Sequence, residues 1–125
     1  MDAWEHPRPP AGTITIVREE PDLCVLCMRG DVDTAVATQF TTSRRRERVV
    51  VDAIDAAGVT FVSSSALALM LKCVEASVAD GRNPVLRAAS HQVDRALRLA
   101  GIESLFTRPD PEPAPSSPGP SEDDR

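Results

Sequence analysis

The sequence is poor in aromatic residues and contains no tyrosine, with three phenylalanines and one tryptophan among 125 residues. Because 42% of the residues are nonetheless hydrophobic, the core must be built mainly from Val, Leu, Ile and Ala. A chain of this length supports one domain with one such core.

The chain also lacks an excess of basic residues and a long apolar run. Its formal net charge is −5, whereas a protein that neutralises phosphates needs a basic face, so we expect no direct nucleic-acid partner. No stretch approaches the ~18–20 consecutive apolar residues of a membrane span. The N-terminus resembles no secretory signal. We therefore expect a cytoplasmic protein that does not bind membranes.

Cysteine and histidine are scarce, and their spacing argues against a metal site. Cys24 and Cys27 form a C-x-x-C within a predicted strand, where residues three apart point to opposite faces. We interpret these two and Cys73 as small buried hydrophobic residues. Only His91 could serve the serines in a Ser–His–Asp site, and it lies at the start of a predicted surface helix. We predict no metal, no cofactor and no enzymatic activity.

Hydrophobic periodicity divides the chain into strands and helices. The predicted strands are Thr13–Arg18, Leu23–Arg29, Val49–Val51 and Pro84–Ala88, with turns at Glu19–Asp22 and Ala56–Gly58 and a short apolar piece at Val59–Val62. The predicted helices begin at Thr34, at the serines 63–65 and at Ser90. This order predicts a single α/β domain over residues 13–108: a mixed central sheet of about four to five strands with helices packed on it. Residues 1–12 are predicted to be a flexible arm, and the Pro-, Ser- and acid-rich residues 109–125 a disordered tail.

The central helix has the clearest amphipathic pattern. Its apolar positions recur at helical spacing: Leu67, Met70, Leu71, Val74 and Val78. Any of Ser63, Ser64 and Ser65 can cap its N-terminus, since a serine hydroxyl accepts from a free first-turn N–H. Gly81 is placed to end the helix in a left-handed conformation. N-capping with locally satisfied hydroxyls is one explanation of the three serines, and a functional site is the other.

Three further features have competing interpretations. The run from Arg44 to Arg48 is either an anion-binding patch or, as we favour in an acidic chain, a solvated turn. The helix after Ser90, with Val93, Leu97 and Ala100 on one face and Gly101 at its end, is favoured as an amphipathic cover helix over a DNA-recognition helix. Asp52 is either a strand-end residue or a buried acid paired with a nearby arginine.

Three motif-like segments stand at residues 30–35, 55–67 and 93–106, and they resemble the motifs of the STAS domains found in bacterial anti-sigma factor antagonists. Residues 30–35, GDVDTA, resemble the family's G-E-[LVI]-D-x-x-[TS]-A. Residues 55–67, DAAGVTFVSSSAL, resemble D-L-S-G-V-x-F-[IM]-D-S-[ST]-G-L, and residues 93–106 resemble the closing V-x-x-x-L-x-x-[ST]-G-L-x-x-[LV]-F. The resemblance covers about residues 13–106, in the family's order.

The resemblance implies a partner-switching function. In this family the serine after the motif's Asp is phosphorylated by an anti-sigma factor with an ATP-dependent serine kinase domain, and a phosphatase removes the phosphate. The unphosphorylated protein binds that anti-sigma factor and releases an alternative sigma factor. Matched by position, the phosphoacceptor is Ser64, with Ser63 and Ser65 as competitors. The implied partner-binding residues are Asp33, Ser63, Ser64, Ser65, Ala66 and Leu67. We expect a monomer or weak dimer.

The sequence departs from the family motif beside the acceptor. Ser63 stands where the family has Asp, and Ala66 stands where it has Gly. The first change removes a carboxylate and the second adds a methyl group where a partner backbone would approach. The alternative interpretation is therefore a STAS scaffold that is not phosphorylated, as a subunit of a larger signalling or transport assembly.

Overall fold

A computed structural model describes residues 12–44 and 47–109 of the chain. The strands are β1 (Thr13–Glu19), β2 (Leu23–Val32), β3 (Ala53–Val62) and β4 (Val85–Ala89). The α-helices are α1 (Thr34–Ser43), α2 (Ser64–Ala79) and α3 (His91–Ala100), followed by a single 3₁₀ turn at Glu103–Leu105. The predicted arm and tail lie outside the described residues, except for Gly12 and Pro109, and so do Arg45 and Arg46.

The four strands lie in the sheet in their chain order, β1-β2-β3-β4. β1 and β2 form the predicted antiparallel hairpin, whereas β2, β3 and β4 are parallel. Both parallel crossovers move in the same direction across the sheet, so the right-handed rule places α1 and α2 on the same face. α3 also contributes to the one hydrophobic core on that face. The α/β prediction is confirmed, with four strands and three helices.

The core is aliphatic, as the composition requires. Its fully buried large side chains come from all the layers: Leu26, Met28, Ile54, Met70, Leu86 and Leu97. Phe40 and Phe106 are the aromatic members of the cluster. Phe106, which follows α3, is the last residue of this cluster along the described chain.

The opposite face of the sheet carries an ion bridge instead of a helix from the described residues. Arg87 of β4 donates to both carboxylate oxygens of Glu19 on β1 at 3.0 Å and to Asp55 of β3 at 3.3 Å. β1 and β4 are the two edges of the sheet, so these side chains cross over the central strands. Val25 on β2 belongs to this face and has no exposed surface. The bridge links both edges of the sheet on the face to which Val25 belongs.

The third strand differs from its prediction. Val49–Val51 is a non-strand segment that leads into β3, and β3 continues through the predicted turn at Ala56–Gly58. Between Cys27 and Arg29 of β2, the pairing on β3 advances by three residues, and a second shift follows at Gly30. β3 therefore holds extra residues as bulges. The bulges interrupt the alternation of apolar and polar residues along β3. For this reason the sequence pattern predicts two separate apolar segments, with a turn between them, in place of one long strand. β2 likewise runs to Val32, beyond its predicted end at Arg29.

Asp52 is the residue immediately before β3, as the strand-end interpretation predicts, and it is half-buried instead of buried. Its Oδ2 accepts from the Cys24 N–H at 2.9 Å. Arg82, in the α2–β4 connection, contacts the same carboxylate at 3.0 Å. The prediction that this arginine would be nearby in the sequence was wrong, because Arg82 lies 30 residues further along the chain. Through Cys24 and Arg82, Asp52 thus connects the starts of β2 and β3 to the segment that follows α2.

The buried stripe of α2 is rotated relative to its prediction. Val78 is 57% exposed, whereas Ser77 is completely buried. The Ser77 hydroxyl donates to the Cys73 carbonyl at 2.7 Å and accepts from the Val51 N–H at 2.8 Å. A polar residue satisfied in this way is compatible with a core position. In α3, Val93 and Leu97 are buried as predicted, but Ala100 is exposed.

The ends of the helices follow the sequence signals. Gly81 (φ 85°) has the left-handed backbone predicted after α2, and Gly101, predicted to end α3, is also left-handed (φ 74°). The Ser90 side chain accepts from the Val93 N–H and caps α3. Arg44 follows α1 and is exposed, as is Arg48, so these parts of the basic run are solvated. No helix among residues 12–44 and 47–109 is both long and apolar enough to cross a membrane.

The cysteines are only partly as predicted. All three are free thiols, but Cys24 and Cys27 are half-buried and only Cys73 is fully in the core. Cys24 packs against the core, while Cys27 pairs with Asp55 in the sheet. Burial raises the pKa of the Cys73 thiol to about 11. The prediction of three buried cysteines was therefore wrong for the two on β2, which are half-buried although Val25 and Leu26 between them have no exposed surface.

Candidate functional site

The candidate site lies where β2 and β3 end side by side and two helices begin. Val32 and Val62 are paired at the carboxyl ends of these parallel strands, and the Ser63 N–H donates to the Val32 carbonyl at 3.0 Å. Each strand leads directly into a helix, with Asp33 capping α1 and Ser63 capping α2. Ligands of open α/β sheets characteristically bind at the carboxyl ends of the strands.

The three serines differ in exposure and hydrogen bonding. Ser63 is half-buried, and its hydroxyl accepts from the Ala66 N–H at 3.1 Å, so it is the N-cap of α2. Ser64 is the first residue of the helix and is exposed. Its hydroxyl makes no hydrogen bond to any described residue. Ser65 is also exposed, and its hydroxyl lies 3.5 Å from Thr34 Oγ1. Of the three hydroxyls, that of Ser64 is thus the least engaged.

Asp33 and Thr34 bring the start of α1 beside the serines. The Asp33 carboxylate accepts from the Val36 N–H at 2.9 Å, while its side chain stays exposed. Thr34 is the first residue of α1 and contacts Ser65. Two helix N-termini therefore meet here, and each adds partial positive charge and free backbone N–H groups. This arrangement favours an anionic group on an exposed hydroxyl of the first turn.

Ala66 and Leu67 do not belong to the exposed part of the site. Ala66 has no exposed surface and Leu67 is 8% exposed, and both pack in the core. A docking protein would meet the serines and Asp33 before reaching either of them. Burial therefore leaves Asp33 and the three serines as the members of the predicted partner-binding set that a partner can reach. The amphipathic pattern of α2 had already indicated that Leu67 faces inward.

Phe61 is a surface residue of this site that the sequence did not indicate. The second bulge of β3 pairs Phe61 with Asp31, one residue out of register, and leaves the ring 50% exposed. The Thr60 hydroxyl donates to the Asp31 carboxylate and links the two strands at the same place. Bulges near functional sites often redirect a side chain in this way. The sequence signal for this surface residue was the aromatic ring two positions before Ser63. Because Phe61 lies in an apolar segment, the pattern indicated a buried side chain.

The chemistry available at the site is that of hydroxyls and carboxylates. The side chains brought together are Asp31, Asp33, Thr34, Thr60, Ser63, Ser64 and Ser65. His91 forms no hydrogen bond with the three serines, and it lies exposed at the start of α3. No described residue accepts a hydrogen bond from the Ser64 hydroxyl. The arrangement thus presents the hydroxyl of Ser64, exposed and without a hydrogen-bond partner among the described residues, at the surface of the site.

Comparisons with known proteins give one family match and a structural neighbour. The sequence profile of the STAS domain matches residues 15–114. A search of curated proteins returns no significant match. Among solved structures, the chain is similar to an uncharacterised protein from Shewanella loihica described as having a SpoIIAA-like fold, with 15% sequence identity and a TM-score of 0.46. That alignment covers 86% of this chain and 93% of the other.

Proposed function

The chain belongs to the STAS domain family, and from this premise we propose that it is an anti-sigma factor antagonist switched off by phosphorylation of Ser64. In this proposal the unphosphorylated protein binds an anti-sigma factor that carries an ATP-dependent serine kinase domain. Binding releases an alternative sigma factor in the bacterial cytoplasm. A phosphatase returns the modified protein to its binding form.

One observation carries the choice of Ser64. It is the exposed first residue of α2, and its hydroxyl makes no hydrogen bond within the described residues. The neighbouring Ser63 is occupied as the helix cap through Ala66 N–H. A kinase can therefore reach and modify Ser64 without removing the cap. Ser65 is the closer competitor, because its contact to Thr34 is at the outer limit of a hydrogen bond.

The position explains how one phosphate could end binding without unfolding the domain. At a helix N-terminus, the phosphate meets the positive end of the helix dipole, so the fold tolerates it. The same group adds about −1.5 to −2 charges to a surface that already presents Asp33. A partner docking over this surface would have to desolvate that charge. Phe61, half-exposed beside the serines, supports a docking role for the surface, since aromatic residues are enriched at interfaces.

The first test is a pull-down from the cytoplasm of the source bacterium with four baits: wild type, Ser64→Ala, Ser64→Asp and Ser104→Asp. Ser104 is exposed in the 3₁₀ turn after α3, so its variant adds the same charge away from the site. We expect a kinase-like anti-sigma factor on wild type, Ser64→Ala and Ser104→Asp, and its loss on Ser64→Asp. The purified prey with ATP should phosphorylate wild type and not Ser64→Ala.

Two outcomes would contradict the proposal. If Ser64→Asp recovers the same prey as wild type and mass spectrometry finds no phosphate on the three serines, the chain is a constitutive STAS scaffold. If phosphate appears on Ser63 or Ser65 and not on Ser64, the positional match to the family is wrong. Ser63 in place of the family's Asp is the feature that favours the scaffold alternative.

A further inference from the structure

A groove runs between α1 and α2, starting at Ser65 and extending away from the serine cluster. It has a volume of about 550 Å³, which is within the range of small-molecule sites in proteins. Its apolar lining comes from both helices and the segment before β3: Phe40, Val49, Ala68, Leu69, Cys73 and Ala76. The space exists because α2 presents small side chains there, with Ala68 and Ala76 two turns apart.

The groove is edged by cations in a chain that is acidic as a whole. Arg44, Arg48 and Lys72 line it, together with a single carboxylate, Glu47. The six ion pairs of the described residues all use other side chains, so these three cations have no carboxylate within ion-pair distance there. The Arg44 guanidinium lies 5.6 Å from the centre of the Phe40 ring, which holds it at the edge of the apolar floor.

The geometry points to a binding site for a small soluble amphiphile with an anionic head group and an apolar body. The apolar floor would take the body, and the unpaired cations at the edge would take a phosphate or carboxylate. A membrane surface fits the groove less well, because a membrane-binding face places exposed large apolar side chains around its cations. The exposed large hydrophobic residues of the described chain all lie elsewhere: Val17, Phe61, Val78, Leu99 and Leu105.

This inference stands apart from the proposed phosphorylation, although the two sites touch. Ser65 lines the groove and also contacts Thr34 beside the serine cluster. A ligand at this end of the groove would therefore cover Ser65. Binding of the ligand can be measured with the purified chain alone, so its failure and the failure of the kinase pull-down are separate results.

The test is titration of the full chain with decyl phosphate below its micelle concentration, followed by calorimetry and by amide chemical shifts. Decanol supplies the apolar body without the charge, and inorganic phosphate supplies the charge without the body. We expect decyl phosphate to bind more tightly than either, with shifts concentrated at Leu69, Lys72 and Cys73. Phosphatidylglycerol vesicles form the last arm, in which we expect no binding.

Two pairs of variants distinguish the groove from general charge attraction. Arg48→Gln with Lys72→Gln should raise the dissociation constant at least about tenfold. The matched control is Arg95→Gln with Arg98→Gln on the exposed side of α3, which should change it less than about twofold. Ala68→Phe should block the groove, whereas Ala100→Phe, at an exposed alanine of α3, should not.

The inference is overturned if the control pair weakens binding as much as the groove pair, or if decanol binds as tightly as decyl phosphate. Binding to vesicles in place of the soluble amphiphile also overturns it, because the occupant would then be a membrane. If circular dichroism shows that Ala68→Phe does not fold, the charge variants and the amide chemical shifts still determine whether decyl phosphate binds in the groove.

Discussion

The buried hydroxyl of Ser77 accepts a hydrogen bond from the Val51 N–H at 2.8 Å, joining the last turns of α2 to the segment that leads into β3. Val51 and Ser77 are both completely buried, so water is not available to either group. The same hydroxyl donates to the Cys73 carbonyl. A serine in the core thus supplies the hydrogen-bond acceptor for the buried Val51 N–H, which has no ladder partner because Val51 precedes β3.

Ser77→Ala should destabilise the domain by about 1–3 kcal/mol, because it leaves the buried Val51 N–H without an acceptor. Urea unfolding of the variant measures this loss. Ser104→Ala is the control, since Ser104 is exposed and its removal should change the free energy of unfolding by less than about 0.5 kcal/mol. Equal effects of the two variants would mean that the Ser77 hydrogen bond contributes nothing.

Adjacent serines of the site should separate into a structural and a functional residue. Ser63→Ala removes the N-cap of α2 and should cost about 1 kcal/mol. Ser64→Ala removes no described hydrogen bond and should stay within about 0.5 kcal/mol of wild type. Thermal or urea unfolding of the two variants, compared with Ser63→Gly (which should cost less than Ser63→Ala), measures this difference. A larger loss for Ser64→Ala than for Ser63→Ala would contradict the capping assignment.

Variants of Asp52 can show whether its hydrogen bond to the Cys24 N–H or its ion pair with Arg82 contributes more to the stability of the domain. Asp52→Asn keeps an oxygen for the Cys24 N–H but loses the charge that faces Arg82, whereas Asp52→Ala loses both. We expect the alanine variant to be less stable than the asparagine variant by about 1 kcal/mol. The partly exposed ion pair should contribute less than the backbone hydrogen bond. Asn and Ala variants of equal stability would show that the hydrogen bond is dispensable.

The ion bridge on the open face should make stability depend on pH. The hydrogen bonds from Arg87 lower the pKa of Glu19 below its usual 4.5. A carboxylate with a lowered folded-state pKa stabilises the fold above its unfolded pKa, and this contribution is lost as the pH falls through the folded value. Wild type should therefore be more stable than Glu19→Gln at pH 7, with the difference shrinking below about pH 4.5.

The control for this pH series is Glu20→Gln, which removes an exposed neighbouring charge that forms no described ion pair. Its stability relative to wild type should stay nearly constant across the same range. A difference between wild type and Glu19→Gln that persists unchanged at pH 3 would exclude the bridge as its cause.

Thiol labelling should distinguish Cys73 from the two cysteines of β2. Cys73 is 2% exposed, and burial raises its pKa from 9.0 to about 11, so its reactive thiolate is scarce at pH 8. In single-cysteine variants, iodoacetamide should modify Cys73 at least about a hundredfold more slowly than the same thiol in urea. Cys24, which is half-buried, should react faster than Cys73 in the folded protein. Folded-state labelling of Cys73 at the unfolded rate would mean that this part of the core opens freely.

The sequence was sufficient for the class of fold, because the periodic segments and the caps follow local rules. Ser90, Gly81 and Gly101 mark helix ends through their own side-chain or backbone preferences, and the structure places each of them there. The bulges of β3 were not predictable in the same way. They depend on how β3 pairs with β2, which is a non-local property.

The same division applies to the site. The serine cluster could be found because hydroxyls before an apolar helix are a capping signal. Which serine is the cap depends on the geometry at Ser63 and could not be read from three identical residues. Ser77 was overlooked because a polar residue counts against a core position unless its hydrogen-bond partner, Val51 here, is known.

Because the strands lie in the sheet in the order in which they occur in the chain, each one can add to a partner that has already left the ribosome. The hairpin of β1 and β2 needs nothing that is synthesised later, and β3 and β4 then extend it in turn. The bridge from Glu19 to Arg87 is different, since it joins residues 68 positions apart. During synthesis, the carboxylate of Glu19, at the end of β1, has no Arg87 to pair with until β4 has left the ribosome. The open face of the sheet is therefore completed last.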